Sequence, residues 1–237
     1  MSGSLYFRQL LSGRDFARDD AWARRMANFV YAVGDRDAGV AVLVDPAYAP
    51  LELVELVGAD GLTVVGAVAT HYHADHVGGT FAGVRLAGVV ELLDALDVPV
   101  HVQREEVEWI TRGTGVDASA LTAHASGERV EVGGVSIGLV HTPGHTPGSQ
   151  CLMVEGRLVT GDTLFLEGCG RTDLPGSDPD EMYVTLHERL AAIADDALVY
   201  AGHDYSTVAF APLGEVRATN PVLASVTADE WRAAFAP

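Results

Sequence analysis

Thr70-His71-Tyr72-His73-Ala74-Asp75-His76 runs straight on from the apolar stretch Leu62 to Ala69. That stretch has the length and composition of a buried strand, so the motif begins where a strand ends. His71 and His73, two residues apart, can turn to one side and converge on a single cation. Asp75 and His76 open what reads as a helix, from which they can reach a second cation nearby. A lone histidine in such a place would be a solvated surface residue. Three imidazoles and a carboxylate packed together behind a buried strand read as metal ligands.

Further along the chain stand the partners that such a site needs. His145 follows the apolar run Val135 to Val140, inside His141-Thr142-Pro143-Gly144-His145-Thr146-Pro147-Gly148-Ser149. Asp162 ends the run Leu158 to Thr160, and His203 follows Ala197 to Tyr200 through Ala201 and Gly202. Each candidate ligand thus lies just past the C-terminal end of an expected strand, where open sheets of α/β proteins carry their sites. Strand ends of one sheet converge in space, so residues far apart in sequence can share one cluster.

The pattern His-x-His-x-Asp-His, followed by the distant His145, Asp162 and His203, resembles the metallo-β-lactamase superfamily over about residues 28 to 222. Within it, HTPGHTPGS (141–149), TGDTLFLEGCGRTD (160–173) and GHDYS (202–206) are similar to the glyoxalase II and persulfide dioxygenase branch. The resemblance implies a four-layer αββα sandwich. It also implies one metal held by His71, His73 and His145, another by Asp75, His76 and His203, and Asp162 bridging the two. Zinc-dependent β-lactamases commonly place a Cys where Asp162 stands, and they are exported, which counts against that activity.

Imidazole and carboxylate donors without thiolate suit zinc first, with iron or manganese also compatible. Two such cations lower the pKa of a bridging water and hold a hydroxide ready for attack. The expected activity is therefore a metallo-hydrolase cleaving the thioester of a small thiol, as glyoxalase II does. Asp75 and Asp162 are placed among the catalytic groups, and Tyr205 as a donor to substrate. The alternative is a persulfide dioxygenase, which the resemblance implies would use a single iron at His71, His145 and Asp162. Arg171 and Arg217 are candidates for substrate carboxylates, and Cys169, between glycines, is a candidate for the site wall. Glyoxalase II proper holds glutathione with basic and aromatic residues of a C-terminal helical segment. Here the basic residues after His203 are Arg217 and Arg232, so another low-molecular-weight thiol is the expected carrier.

At 237 residues, a single domain over 1–237 is expected, with ample length for a core. No apolar run reaches membrane-spanning length, and the start of the chain lacks the basic and apolar segments of an export signal, so the expected location is cytoplasmic. The formal net charge is −18, and all 15 basic residues are arginine. Such acidity repels phosphates and argues against nucleic acid as a partner. The expected partner is a small-molecule thiol conjugate, with no membrane contact and a monomer or homodimer as the assembly. Cys151 and Cys169 do not make a disulfide framework.

For the remaining chain, the pattern predicts a helix near Ala21 to Met26 and a hairpin over Asn28 to Val33 and Gly39 to Val44. Helices are expected over Pro50 to Val57, Leu86 to Leu96, Arg104 to Arg112 and Asp178 to Ile193. Val98 to Val102, Glu128 to Val132, Val135 to Val140, Gln150 to Glu155 and Arg157 to Thr160 read as strands, and Gly113 to Ser126 as a loop. Asp45 serves either to orient a metal-binding histidine or as a cap. His101 is expected to pack, His124 to be solvated or to touch substrate, His141 to support the His145 loop and His187 to lie on the surface.

Overall fold

A computed structural model describes residues 4–224 and 227–235. The first few residues of the N-terminal stretch that was read for an export signal therefore lie outside the described residues. The first sheet takes β1 (Leu5–Leu11), β2 (Phe29–Asp35), β3 (Val40–Val44) and β4 (Thr63–Val68). After a small hairpin of β5 (Gly79–Phe81) and β6 (Val84–Leu86) it adds β7 (Val100–Gln103) and β8 (Leu121–His124), in the order β1-β2-β3-β4-β7-β8. The second sheet is built from β9 (Arg129–Val132), β10 (Val135–His141), β11 (Gln150–Val154), β12 (Arg157–Gly161), β13 (Leu198–Ala201) and β14 (Ala211–Pro212), in the order β14-β13-β12-β11-β10-β9.

The alternation of side chains along each strand decides the layers. In β2, Phe29, Tyr31 and Val33 face the second sheet, while Val30 and Ala32 face the helices. Val42 and Val44 of β3 meet Ile137, Leu139 and Leu152 across the sandwich, and Ala41 and Leu43 turn the other way. Both faces of these central strands are buried, which is why they read as unbroken apolar runs rather than alternating ones. Helices α1 (Ala21–Met26), α2 (Pro50–Ala59), α4 (Val89–Ala95) and α5 (Val107–Thr114) cover the first sheet; the single turn α3 (Ala74–Val77) lies at its edge. Helices α6 (Pro179–Val184), α7 (Leu213–Thr219) and α8 (Ala228–Phe235) cover the second sheet through Met182, Val216 and Trp231. Helix, sheet, sheet, helix is the four-layer αββα sandwich expected from the sequence.

Local chemistry sets the helix starts. Asp20 and Asp178 each cap two backbone amides with one carboxylate oxygen, and Pro50 and Pro179 occupy first-turn positions where no amide partner is lost. Among the described residues no helix is long and apolar enough to cross a membrane.

Three local expectations change. The loop expected over Gly113 to Ser126 contains the end of α5, a turn at Ala118–Ala120 and β8. As an edge strand, β8 buries Leu121 but leaves Thr122 and Ala123 outside, so it lacks the apolar run of a central strand. The helix expected to Ile193 runs only to Val184, widens into a π-turn over Thr185–Arg189 and tightens over Leu190–Ala192. The widened turn lets Thr185 donate its hydroxyl to the Pro143 carbonyl (2.6 Å), tying this helix to the loop before His145. His187 is not a bare surface residue: it packs against Tyr183 and Trp231 at ring separations of 4.5 and 6.1 Å.

The two sheets are stitched together along one edge. Gln150 at the start of β11 donates from its backbone to the Thr70 carbonyl (2.9 Å) and from its side chain to that of Ala69 (2.7 Å). Phe29 donates to the Gly202 carbonyl (2.8 Å), and Asn28 and His203 form a bridge. Every strand end carrying a candidate ligand emerges at that edge. The loop between β10 and β11 turns at Gly144, whose φ is 138°, and a Cβ there would lie 2.4 Å from the Met182 Cα. Gly144→Ala is therefore expected to destabilise the fold by roughly 1–3 kcal/mol, read as a lower urea midpoint with an unchanged slope.

Candidate metal centre

The strand β4 delivers Thr70 and His71, one helical turn presents Asp75 and His76, and Gly78 and Gly79 (φ 82° and 116°) swing the chain away beneath them. The β10–β11 loop brings His145, the end of β12 Asp162 and the end of β13 His203. His71, His73 and His145 each offer a ring nitrogen, all within 4.8 Å of one another, and so do the donor atoms of Asp75, His76 and His203. Between these triads stands Asp162. Its Oδ1 is 3.4 Å from His76 Nε2, and its Oδ2 lies 3.3 Å from His203 Nε2 and 3.7 Å from His145 Nε2. All seven expected ligands thus gather at one point.

Four of the histidines have their other ring nitrogen fixed. His145 Nδ1 donates to the Arg171 carbonyl and His203 Nδ1 to that of Met26, both at 2.8 Å. His76 Nδ1 donates to Asp45 Oδ2 (2.9 Å), and His71 Nδ1 lies 3.0 Å from the Thr70 hydroxyl. Such partners set tautomer and ring orientation, and here they turn every Nε2 towards the cluster. Asp45 is accordingly an orienting residue: besides His76 it accepts from Thr70 N (2.7 Å) and Thr70 Oγ1 (2.6 Å).

Electrostatics point the same way. Burial, with the neighbouring imidazoles, holds His71 well below its ordinary range and pushes His73 down to about 3, so both offer bare lone pairs. Burial works against charge on His76 as well, but the carboxylates of Asp162, Asp75 and Asp45 outweigh it and push His76 up to about 10. Burial would raise Asp162, yet His203 and His76 hold it well below the carboxylate range. The centre attracts positive charge. His71 Nε2 and Asp162 Oδ1 are buried and accept no hydrogen bond, atoms that a cation would satisfy. Imidazole and carboxylate donors without thiolate fit a divalent cation of the zinc, iron or manganese kind.

A cleft of about 560 Å³ opens over the ligands, lined by His73, Asp75, His145, Asp162 and His203, and also by Arg171 and Tyr205. Tyr205 stacks on His203 (4.6 Å, 10°), and burial together with Asp162 and Asp75 pushes its hydroxyl up to about 12, leaving a neutral donor at neutral pH. Arg171 reaches the rim, exposed, with its guanidinium forked onto Asp173 at 2.8 Å twice.

Two expected substrate residues are elsewhere. Arg217 donates to the carbonyls of Leu190 (2.7 Å) and Ile193 (2.9 Å) and pairs with Asp195, bracing a chain turn remote from the cleft. Its promise rested on charge alone, which carbonyl oxygens at a helix end use as readily as a substrate. Cys169 does not line the cleft; it packs on the core beneath α6 and α7, and burial pushes its thiol up to about 12. Cys151 is fully buried. His141 Nε2 meets the Pro147 carbonyl (2.9 Å) and supports the loop as expected, while His101 and His124 bond each other (2.9 Å) away from the cleft.

Sequence reading passed over several residues. Asn28 donates to Asp75 Oδ2 (3.1 Å) and accepts from the Tyr48 hydroxyl (2.8 Å). Glu106 is buried under the His145 loop, where Oε1 accepts from the Thr146 hydroxyl and from Gly148 N (2.7 Å). It thereby pins the loop bearing His145 to the start of α5. A lone Glu at a helix start gave no signal of this. The stretch Gly134-Val135-Ser136-Ile137-Gly138 also fits the G-x-S-x-G pattern of serine hydrolases. Ser136 lies in mid-strand, bonded to Glu131 and Arg129, and has no histidine partner among its described contacts.

The signature of the metallo-beta-lactamase superfamily matches residues 23–203, from before β2 to the last ligand. The chain belongs to the metallo-β-lactamase superfamily. Within this superfamily it is similar to a hydroxyacylglutathione hydrolase of Alkalilimnicola ehrlichii, 35% identical over 199 residues, covering 83% of this chain and 69% of that protein. It is also similar to the human mitochondrial persulfide dioxygenase ETHE1, 30% identical over 203 residues, covering 82% of this chain and 71% of the relative. The crystal structure of ETHE1 from Myxococcus xanthus superposes with a TM-score of 0.76 at 27% identity, covering 95% of this chain and 88% of that one. Relatives of both reaction classes therefore share the superfamily fold with this chain.

Substitutions at two residues test the supports. Asp45→Asn should weaken cation binding at Asp75, His76 and His203 by about 10–100-fold, with a smaller loss at the His71 triad, whose Thr70 support Asp45 also holds, as read by chelator competition. Burial pushes the Glu106 carboxyl up to about 7 against the pull of its donors. Its ionised form is thus a cost that is absent below its ordinary pKa and grows as pH rises through about 7. Glu106→Gln, which keeps an acceptor and removes the charge, should gain in melting temperature relative to the parent between about pH 5 and pH 8. Glu106→Ala should lose at both.

Proposed function

We propose that the chain is a metal-dependent hydrolase that cleaves the thioester of a small thiol. The observation that carries this reading is the pair of ligand triads with the Asp162 carboxylate turned to both. Two divalent cations, zinc first, would supply Lewis acidity and bring the pKa of a bound water towards neutrality. His71, His73 and His145 are assigned to one cation, Asp75, His76 and His203 to the other, and Asp162 to both.

The protein's own contribution is placement. Asp45, Thr70 and the carbonyls of Met26 and Arg171 hold the imidazoles before substrate arrives, so little reorganisation accompanies the reaction. The Tyr205 hydroxyl, protonated at neutral pH, can donate to an oxygen of the bound acyl group. In the overall change, water adds to the thioester carbonyl and the C–S bond breaks. The acyl carbon keeps the water oxygen as a carboxylate, one proton goes to the departing sulfur and the other to solvent. The location proposed is the cytoplasm.

A second reading, persulfide dioxygenase, is favoured by the similarity to ETHE1 over most of both chains. It would need one iron at His71, His145 and Asp162, leaving His203 without a ligand role. Asp162→Ala should lower kcat/KM by about a thousandfold or more under either reading. His203→Ala separates them in assays of acyl-thiol cleavage and persulfide-dependent oxygen uptake. The hydrolase predicts acyl-thiol cleavage by the parent and a loss in the variant as deep as that of Asp162→Ala. Oxygen uptake that survives in the variant, with no cleavage by the parent, would overturn it.

A further inference from the structure

The cleft over the ligands says what kind of thiol it accepts. Its walls away from the ligands are largely carbon: Met26, Phe81, Phe165, Leu174 and Pro175, with the ring of Tyr72. Two of these rings are braced from outside the cleft. Tyr72 stacks on Trp109 (4.9 Å, 24°) and donates its hydroxyl to the Pro175 carbonyl (2.6 Å), and Phe81 meets the edge of Trp22 (5.3 Å, 84°). Such a preformed apolar wall binds apolar surface without an ordering penalty.

Charge is the second observation. Apart from the ligand histidines, the one basic side chain among the described lining residues is Arg171, whose Nε and Nη2 are forked onto Asp173, a neighbour that answers its charge. Asp75 and Asp162 at the floor are assigned to the cations, and the chain as a whole carries a net charge of −18. A carboxylate seated against these walls, away from the ligand cluster, gives up its water and meets no unpaired arginine among the described lining residues. Glutathione carries two carboxylates.

We propose that the cleft takes an uncharged, largely apolar acyl-thiol rather than an anionic peptide thiol, seating its carbon chain against Phe81, Phe165 and Leu174. This rests on the thioester reading for the bond cleaved, but the preference itself is a property of the walls. The test uses the metal-loaded protein and two substrates with the same acyl chain, S-hexanoyl-N-acetylcysteamine and S-hexanoylglutathione, so that only the carrier differs. The neutral thioester should show a kcat/KM at least about tenfold higher. Equal values, or a preference for the glutathione thioester, would overturn the proposal.

If neither is cleaved, the hydrolase reading fails and the preference is still decided by binding. The corresponding thioethers, S-hexyl-N-acetylcysteamine and S-hexylglutathione, are titrated against tryptophan fluorescence, which Trp109 and Trp22 report from behind the wall. Binding of the neutral thioether tighter by about tenfold supports the proposal, and equal or reversed affinities overturn it. Phe81→Ala should raise KM for the neutral thioester severalfold with little change in kcat, and Leu174→Ala should do the same where the first variant folds poorly. Unchanged KM in both would remove the wall from the account.

Discussion

Three buried carboxylates, Asp45, Asp75 and Asp162, converge on the single imidazole of His76 at 2.9, 3.6 and 3.4 Å. Negative charge gathered out of water is tolerable only where positive charge answers it. Within the protein that answer is a proton on His76, which the same carboxylates push up to about 10. A divalent cation answers it better, because it can draw on several donors at once while the proton leaves. The architecture around the centre follows from this demand. Asp45 takes its place by ending β3, Asp75 by the one-turn helix after β4, and Asp162 by ending β12.

That convergence requires two sheets to present their strand ends along one edge, in register to within a hydrogen bond. The apolar interior between the sheets supplies the affinity of one for the other but not the register, since it is non-directional. Register comes from polar contacts at the edge itself. Gln150 reaches the backbone of Thr70 and Ala69, Phe29 reaches Gly202, and Tyr31 donates its hydroxyl to the Ala201 carbonyl. Glu106 pins the His145 loop to the start of α5. The same groups that close the sandwich therefore fix the ligands.

Much of this was legible in the sequence, for a physical reason. Metal ligands must be polar, must follow buried strands and must recur at a fixed spacing, so His71, His73, Asp75 and His76 stand out against the apolar run before them. His145, Asp162 and His203 repeat that placement. What was not legible depends on partners distant along the chain. Arg217 and Cys169 share residue type and sequence neighbourhood with substrate groups, but the helix end and the core claim them. Glu106 and Asn28 matter through contacts formed only when separate loops meet, and no local pattern announces that. The edge strand β8 was hidden because one of its faces meets solvent.

The central claim is that this chain holds two cations, one in each triad. Elemental analysis of protein purified without added metal, expressed as metal per chain, tests it most directly. The account predicts about two divalent ions per chain, zinc or a mixture of zinc with iron or manganese. One iron per chain with no second metal, unchanged after dialysis against zinc, would contradict it and leave the Asp75, His76 and His203 triad without its assigned role.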